Sequence, residues 1–163
     1  MFRKLALSAL ISLSLAAAYV LWRGTPSAPR AEVIPDRIDR GKATVVTVTV
    51  QTNDGGFKAS RVGLVRVDAH ASVLSDTVMV DEDGTNTDAV PGHQFFLTMR
   101  DDGTKGDRVA NDGVFTRRVT LNESSGPVYF EAQAAFERTS RHASFDRPSR
   151  LVRSPLIAVQ VIR

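Results

Sequence analysis

Four aspartates and three glycines fall within the sixteen residues Asp101–Thr116, DDGTKGDRVANDGVFT. This is the stretch of the chain with the most chemistry in it. Asp101, Asp102, Asp107 and Asp112 are candidate calcium ligands. Ca²⁺ takes six to eight oxygens from carboxylates, carbonyls and water, and peptides at Gly103, Gly106 and Gly113 can turn carbonyls inward. Asp81, Asp83 and Asp88 form a second acidic cluster. Neither cluster follows the EF-hand pattern, which needs oxygen side chains at its third and fifth positions and Glu at its twelfth. Counted from Asp101, those positions hold Gly103, Lys105 and Asp112. Lys105 also places a cation inside the loop. The competing reading needs no ion. Asp and Asn side chains accept hydrogen bonds from nearby N–H groups in turns, and Gly supplies positive φ. On that reading Asp107 and Asp112 organise the loop as acceptors.

Other catalytic chemistry finds little support. His70, His93 and His142 have no metal-ligand spacing to one another. There is no G-x-S-x-G elbow and no phosphate-binding Gly loop. A pair of acids across a cleft, as in glycoside hydrolysis, is not indicated. The expectation is a protein that is not an enzyme.

The acidic loop resembles a known one. The pattern D-D-G-T-x-G-D-x-x-A-x-D-G-V-F-T is similar to the signature loop of small bacterial immunoglobulin-like or fibronectin-like surface domains, including the choice-of-anchor X type. A similar loop occurs in the β-sandwich domain of calcium-activated chloride channel accessory proteins. Gly103, Thr104, Gly106, Asp107, Ala110, Asp112, Gly113, Phe115 and Thr116 fit. Lys105 and Asn111 depart, where the pattern has His and Gly. The resemblance covers the loop and its flanking strands, and in outline Ala31 to Arg163. It implies an immunoglobulin-like fold and a surface location. It brings no catalytic residues.

The elements around the loop point the same way. Val46, Val48 and Val50 alternate with Thr47, Thr49 and Gln51, the period of a strand with one buried face. Val128, Phe130, Ala132, Ala134 and Phe136 alternate with Tyr129, Glu131, Gln133, Ala135 and Glu137. Phe95, Leu97 and Met99 lead into the loop, and Phe115, Val119 and Leu121 lead out of it. Ser60–Ala69 changes phase between Leu64 and Val65, and Gly63 suggests a bulge there. Val73–Val80 is expected as a weaker strand, Asp81–Gly92 as turns and Arg138–Arg150 as a polar excursion. Ile157, Val159 and Val161 form the last strand. Seven or eight strands, spaced by turns, predict an all-β, immunoglobulin-like two-sheet sandwich preceded by an N-terminal hydrophobic helix.

That helix is residues 1–23. Arg3 and Lys4 precede an uncharged run from Leu5 to Trp22. The run is about 27 Å long as a helix, against a hydrocarbon core of about 30 Å. Ala16-Ala17-Ala18 is an A-x-A site, yet Tyr19, Val20, Leu21 and Trp22 prolong the apolar run past it. Tyr19, Trp22 and Arg23 are interfacial residues. The expectation is a retained signal anchor, with membrane contact through residues 5–22 and the domain facing the periplasm or cell exterior. A cleaved signal peptide, giving a secreted protein, is the alternative. Residues 24–30 form a linker and 31–163 one domain.

Charge excludes one class of partner. The net charge of +3 comes wholly from Arg3, Lys4 and Arg23, so the domain is neutral. Nine acids lie between Asp76 and Asp112, and five arginines between Arg138 and Arg153. Phe145 is the only aromatic among those arginines, where nucleic-acid binding would interleave several. No nucleic-acid partner is expected. With no cysteine, a monomeric domain must hold together by core packing. Function reads as an interaction or spacer module with an unknown protein or glycan partner. The alternative is a carbohydrate-binding or adhesive module, for which Tyr129 and Phe96 are the exposed-aromatic candidates.

Overall fold

The computed structural model describes residues 26–52, 57–84, 89–90, 93–138 and 150–163. The described residues are all-β. The strands are β1 (Arg30–Ile34), β2 (Arg37–Asp39), β3 (Thr44–Gln51), β4 (Phe57–Val67), β5 (Val80–Asp81), β6 (Ala89–Val90), β7 (His93–Thr98), β8 (Val114–Leu121), β9 (Val128–Arg138), β10 (Arg150–Arg153) and β11 (Ile157–Ile162). They form two sheets. The first has the order β1-β3-β8-β5. The second has the order β2-β11-β9-β4-β7-β6, with β10 also paired to β9. Pairing is antiparallel except between β2 and β11, which are parallel.

One core lies between the sheets. Val46, Val48 and Val50 of β3 and Phe115, Val119 and Leu121 of β8 enter it from the first sheet. Val62 and Leu64 of β4 and Phe130, Ala132 and Ala134 of β9 enter from the second. Each fully buried Val or Leu contributes roughly 1.5–3 kcal/mol through lost apolar exposure. The small Ala132 and Ala134 leave room for the larger side chains opposite. Thr47, Thr49 and Gln51 of β3 face outward, so a one-residue slip would exchange Val48 for Thr47 in the core. That penalty fixes the β3–β8 register, which runs from Thr44↔Leu121 to Gln51↔Val114.

The edge of the second sheet contains a break. Strands β10 and β11 both pair with β9, but at different places along it. Ser154 and Pro155 fill the gap. The Ser154 N–H donates to the Ala132 carbonyl at 2.8 Å. The Ala132 N–H donates to Ser154 Oγ at 2.9 Å, and that hydroxyl donates to the Pro155 carbonyl at 2.8 Å. A side-chain oxygen thus replaces a missing ladder acceptor for a fully buried residue. Ser154→Ala is expected to cost about 1–3 kcal/mol, the penalty of a buried donor left unmade. Urea denaturation measures it, and an unchanged midpoint refutes the role.

Several expectations need correction. Val73–Val80 is not a strand: Val73 makes a single bridge to Val67, and only Val80 enters β5. Asp68 is the reason. Its Oδ1 accepts the N–H groups of His70 and Ser72 at 2.8 and 2.9 Å, which turns the chain back on itself. The irregularity of β4 falls between Ala59 and Arg61 rather than at Gly63. Val65 and Val67 lie on the outward face and are nonetheless buried. Leu74 donates its N–H to the Arg66 carbonyl at 3.0 Å, so the returning segment runs beside this end of β4. Arg150, expected as the last residue of the polar excursion, opens strand β10, which runs to Arg153; the rest of that excursion after Arg138 lies outside the described residues. The N-terminal helix expected over 1–23 lies outside the described residues. Among the described residues no helix is long and apolar enough to cross a membrane.

Candidate functional site

Strand β7 leads into the acidic loop and β8 leads out. The neck is closed by Arg100 and Thr116, whose N–H groups each donate to the other's carbonyl at 2.9 and 2.7 Å. Within the loop Gly103, Lys105, Gly106, Asn111 and Gly113 all have positive φ. At Gly106 the need for glycine is twofold. Its φ is +95°, and a Cβ there would lie 2.8 Å from Arg118 Cδ. At Asn111 φ is 63°, a left-handed conformation that Asn tolerates and Gly adopts freely.

All four candidate aspartates accept hydrogen bonds from the loop itself. Asp101 Oδ1 accepts the Asp112 N–H at 3.1 Å, and Oδ2 accepts the Gly113 N–H at 3.3 Å. Asp107 Oδ2 accepts the Gly103 N–H at 2.7 Å. Asp112 Oδ1 accepts the Val114 N–H at 2.8 Å. Asp102 Oδ1 accepts from both the hydroxyl and the N–H of Thr104. The Thr104 hydroxyl is the main cause holding the Asp102 carboxyl below its ordinary range, with the Thr104 N–H and Arg100 assisting. Asp107 alone of the four is buried, at 7% exposure. Among the described residues no three His, Asp or Glu side chains are grouped to hold a metal ion.

Beneath the loop lies a feature that the sequence reading missed. Arg117 sits on the inward face of β8, between Phe115 and Val119, and is 1% exposed. Its guanidinium is 2.8 Å from Asp81 Oδ2 and donates to the Thr98 carbonyl at 3.1 Å. Asp81, on β5, is equally buried. Lys105 reaches down from the loop to Asp81 Oδ2 at 3.2 Å and lies 4.0 Å from Asp83. The cation inside the loop thus serves the second acidic cluster. Asp88 of that cluster lies outside the described residues. The backbone of Asp81 also takes part, its carbonyl accepting the Thr120 hydroxyl at 3.1 Å. A signal for this centre was present in the chain. Arg117 falls in the inward phase of the Phe115–Leu121 strand, and a charge in a buried phase requires a buried partner.

The remaining candidates are not brought together. His70 sits in the turn capped by Asp68. The side chains of His93 and Phe96, and the whole of His142, lie outside what the structure describes. Tyr129 is half-buried on the outward face of β9. No known protein family and no curated protein sequence matches the chain. The likeness of the acidic loop to those of surface domains rests on its own residues.

Proposed function

We propose that this chain is a non-enzymatic interaction or spacer module outside the cytoplasm, an immunoglobulin-like sandwich of the choice-of-anchor X kind tethered to the membrane by residues 5–22. The observation that carries the reading is the inward use of the acidic loop. Its four carboxylates accept N–H groups of the loop, and its lysine pairs with Asp81. These groups hold a rigid surface feature in place; they are not arranged as nucleophile, base and acid.

Strand order supports the fold assignment. With β1, β3, β4, β8, β9 and β11 lettered A, B, C, E, F and G, the sheets read A-B-E and G-F-C. Immunoglobulin-like sandwiches have this order. Strand β5 takes the place beside E that D holds there, although β7 beside C follows it in the chain. A domain with no cysteine suits a module that relies on core packing alone. The apolar run from Leu5 to Trp22, flanked by Arg3, Lys4 and Arg23, supplies the tether.

Fractionation and intact-mass analysis of the native protein test this. The expected result is a membrane-bound chain that retains residues 1–23 and is accessible to protease added from outside the cytoplasm. A mature N-terminus between Tyr19 and Ala31 refutes the anchor. A cytoplasmic, soluble protein refutes the whole reading.

A further inference from the structure

A cleft of about 690 Å³ separates the acidic loop from the outward face of the first sheet, within the size range of ligand sites. Its floor is built from Thr47 and Thr49 of β3 and Thr116 and Arg118 of β8. The register sets Thr49 opposite Thr116 and Thr47 opposite Arg118. The polar groups therefore form a rectangular array, about 5 Å across the strands and about 7 Å along them. Gly106 to Val109 form the overhang. Val109 and Ile34 stand on the margins, 56% and 71% exposed.

We propose that this cleft binds a short neutral glycan. Three observations select that class. First, the three threonine hydroxyls have no hydrogen-bond partner among the described residues; Thr47 and Thr49 are half-buried, and Thr116, 5% exposed, lies at the bottom of the cleft. A hydroxyl both donates and accepts, so the array is complementary to a ligand that does both. Second, the charges in the lining balance: Arg108 and Arg118 against Asp107 and Asp112. Arg118 is also paired with Glu82. A cleft for an anionic ligand would carry an excess of cations. Third, the backbone of the floor is already used in the β3–β8 ladder. A peptide strand would add to a sheet edge instead, where backbone groups are available. Sugar rings carry hydroxyls at their rims and C–H groups on their faces. Thr47, Thr49 and Thr116 match the first, and the methyl groups of Val109 and Ile34 match the second. This site is distinct from the Tyr129 face on which an aromatic platform was expected.

The test uses the purified full-length chain and amide chemical-shift mapping. The probes are maltotriose, cellotriose and chitotriose, with trigalacturonate as the acidic control. The expected result is that at least one neutral trimer shifts the amides of Val109, Thr116 and Thr49. A Thr49→Val/Thr116→Val double variant, which keeps strand-forming side chains, should weaken that binding by about tenfold or more, equivalent to one hydroxyl contact or two. Val109→Asp, at an exposed position outside the sheet, should also weaken it. No shift with any neutral trimer at millimolar concentration overturns the proposal. So do shifts confined to residues elsewhere, binding by trigalacturonate alone, or unchanged binding in both variants. Each of these failures leaves the tethered-module reading standing, because that reading is decided by localisation.

Discussion

Asp81→Ala is expected to destabilise the protein by about 3–5 kcal/mol, the cost of breaking a buried ion pair from one side. Arg117 would keep only the Thr98 carbonyl among its partners described above, and its guanidinium is 1% exposed. Water cannot reach it to compensate. Lys105 would lose its nearer carboxylate as well, but it is about one-third exposed and can be hydrated. Arg117→Met should cost less, because Asp81 would retain Lys105 at 3.2 Å. The double variant Asp81→Ala/Arg117→Met should recover much of the loss, since no uncompensated charge then remains in the core. Urea denaturation of the four proteins decides this. A cost below about 1 kcal/mol for Asp81→Ala, the scale of exposed ion pairs, would sink the argument. Lys42–Asp39 supplies the internal comparison. Both of its side chains are more than half exposed, and its removal should change little.

The strands were legible in the chain wherever period-2 alternation met a single buried face. Val46, Val48 and Val50 are the plainest case, and Val128 to Phe136 the next. The reading failed where local side-chain hydrogen bonds compete with strand pairing. Val73 to Val80 has strand-like composition, yet Asp68 captures two N–H groups just before it and bends the chain away. It failed again where a strand is buried on both faces. Val65 and Val67 looked like a phase change because alternation assumes that one face is wet. The acidic loop was legible as a loop, and its carboxylates as acceptors, because Asp and Gly spacing dictates local turns. Its partner was not. Arg117 and Asp81 lie 36 positions apart, on strands that meet at the edge of a sheet, and no local pattern joins them. The outward threonines of β3 and β8 were visible only as the polar half of an alternation. Their placement under the loop depends on the β3–β8 register and on the fold of the loop over Arg118.

Asp107→Ala is expected to lower stability by about 1 kcal/mol or somewhat more, the loss of a part-buried hydrogen bond to a charged acceptor. Asp107 is the buried carboxylate of the loop, and its Oδ2 holds the Gly103 N–H at 2.7 Å. Its own N–H donates to the Thr104 carbonyl at 3.0 Å, so the residue pins both sides of the turn that contains Lys105. Loss of the side chain would loosen that turn and with it the reach of Lys105 to Asp81. Asp107→Asn keeps one carbonyl oxygen and should lose less than the alanine variant. Asp112→Ala removes the acceptor of the Val114 N–H at an exposed position, where water can replace it, and should cost less still. Thermal melts in EDTA and in added Ca²⁺ separate this structural role from a metal site. On the hydrogen-bonding argument EDTA leaves the wild-type midpoint unchanged, and the three variants rank Asp107→Ala, Asp107→Asn, Asp112→Ala in order of decreasing cost. A native-state calcium site would instead raise the wild-type midpoint with calcium concentration by mass action. A calcium-dependent rise that disappears in both alanine variants would make the loop a metal centre, with Asp101, Asp102, Asp107 and Asp112 as its carboxylate donors.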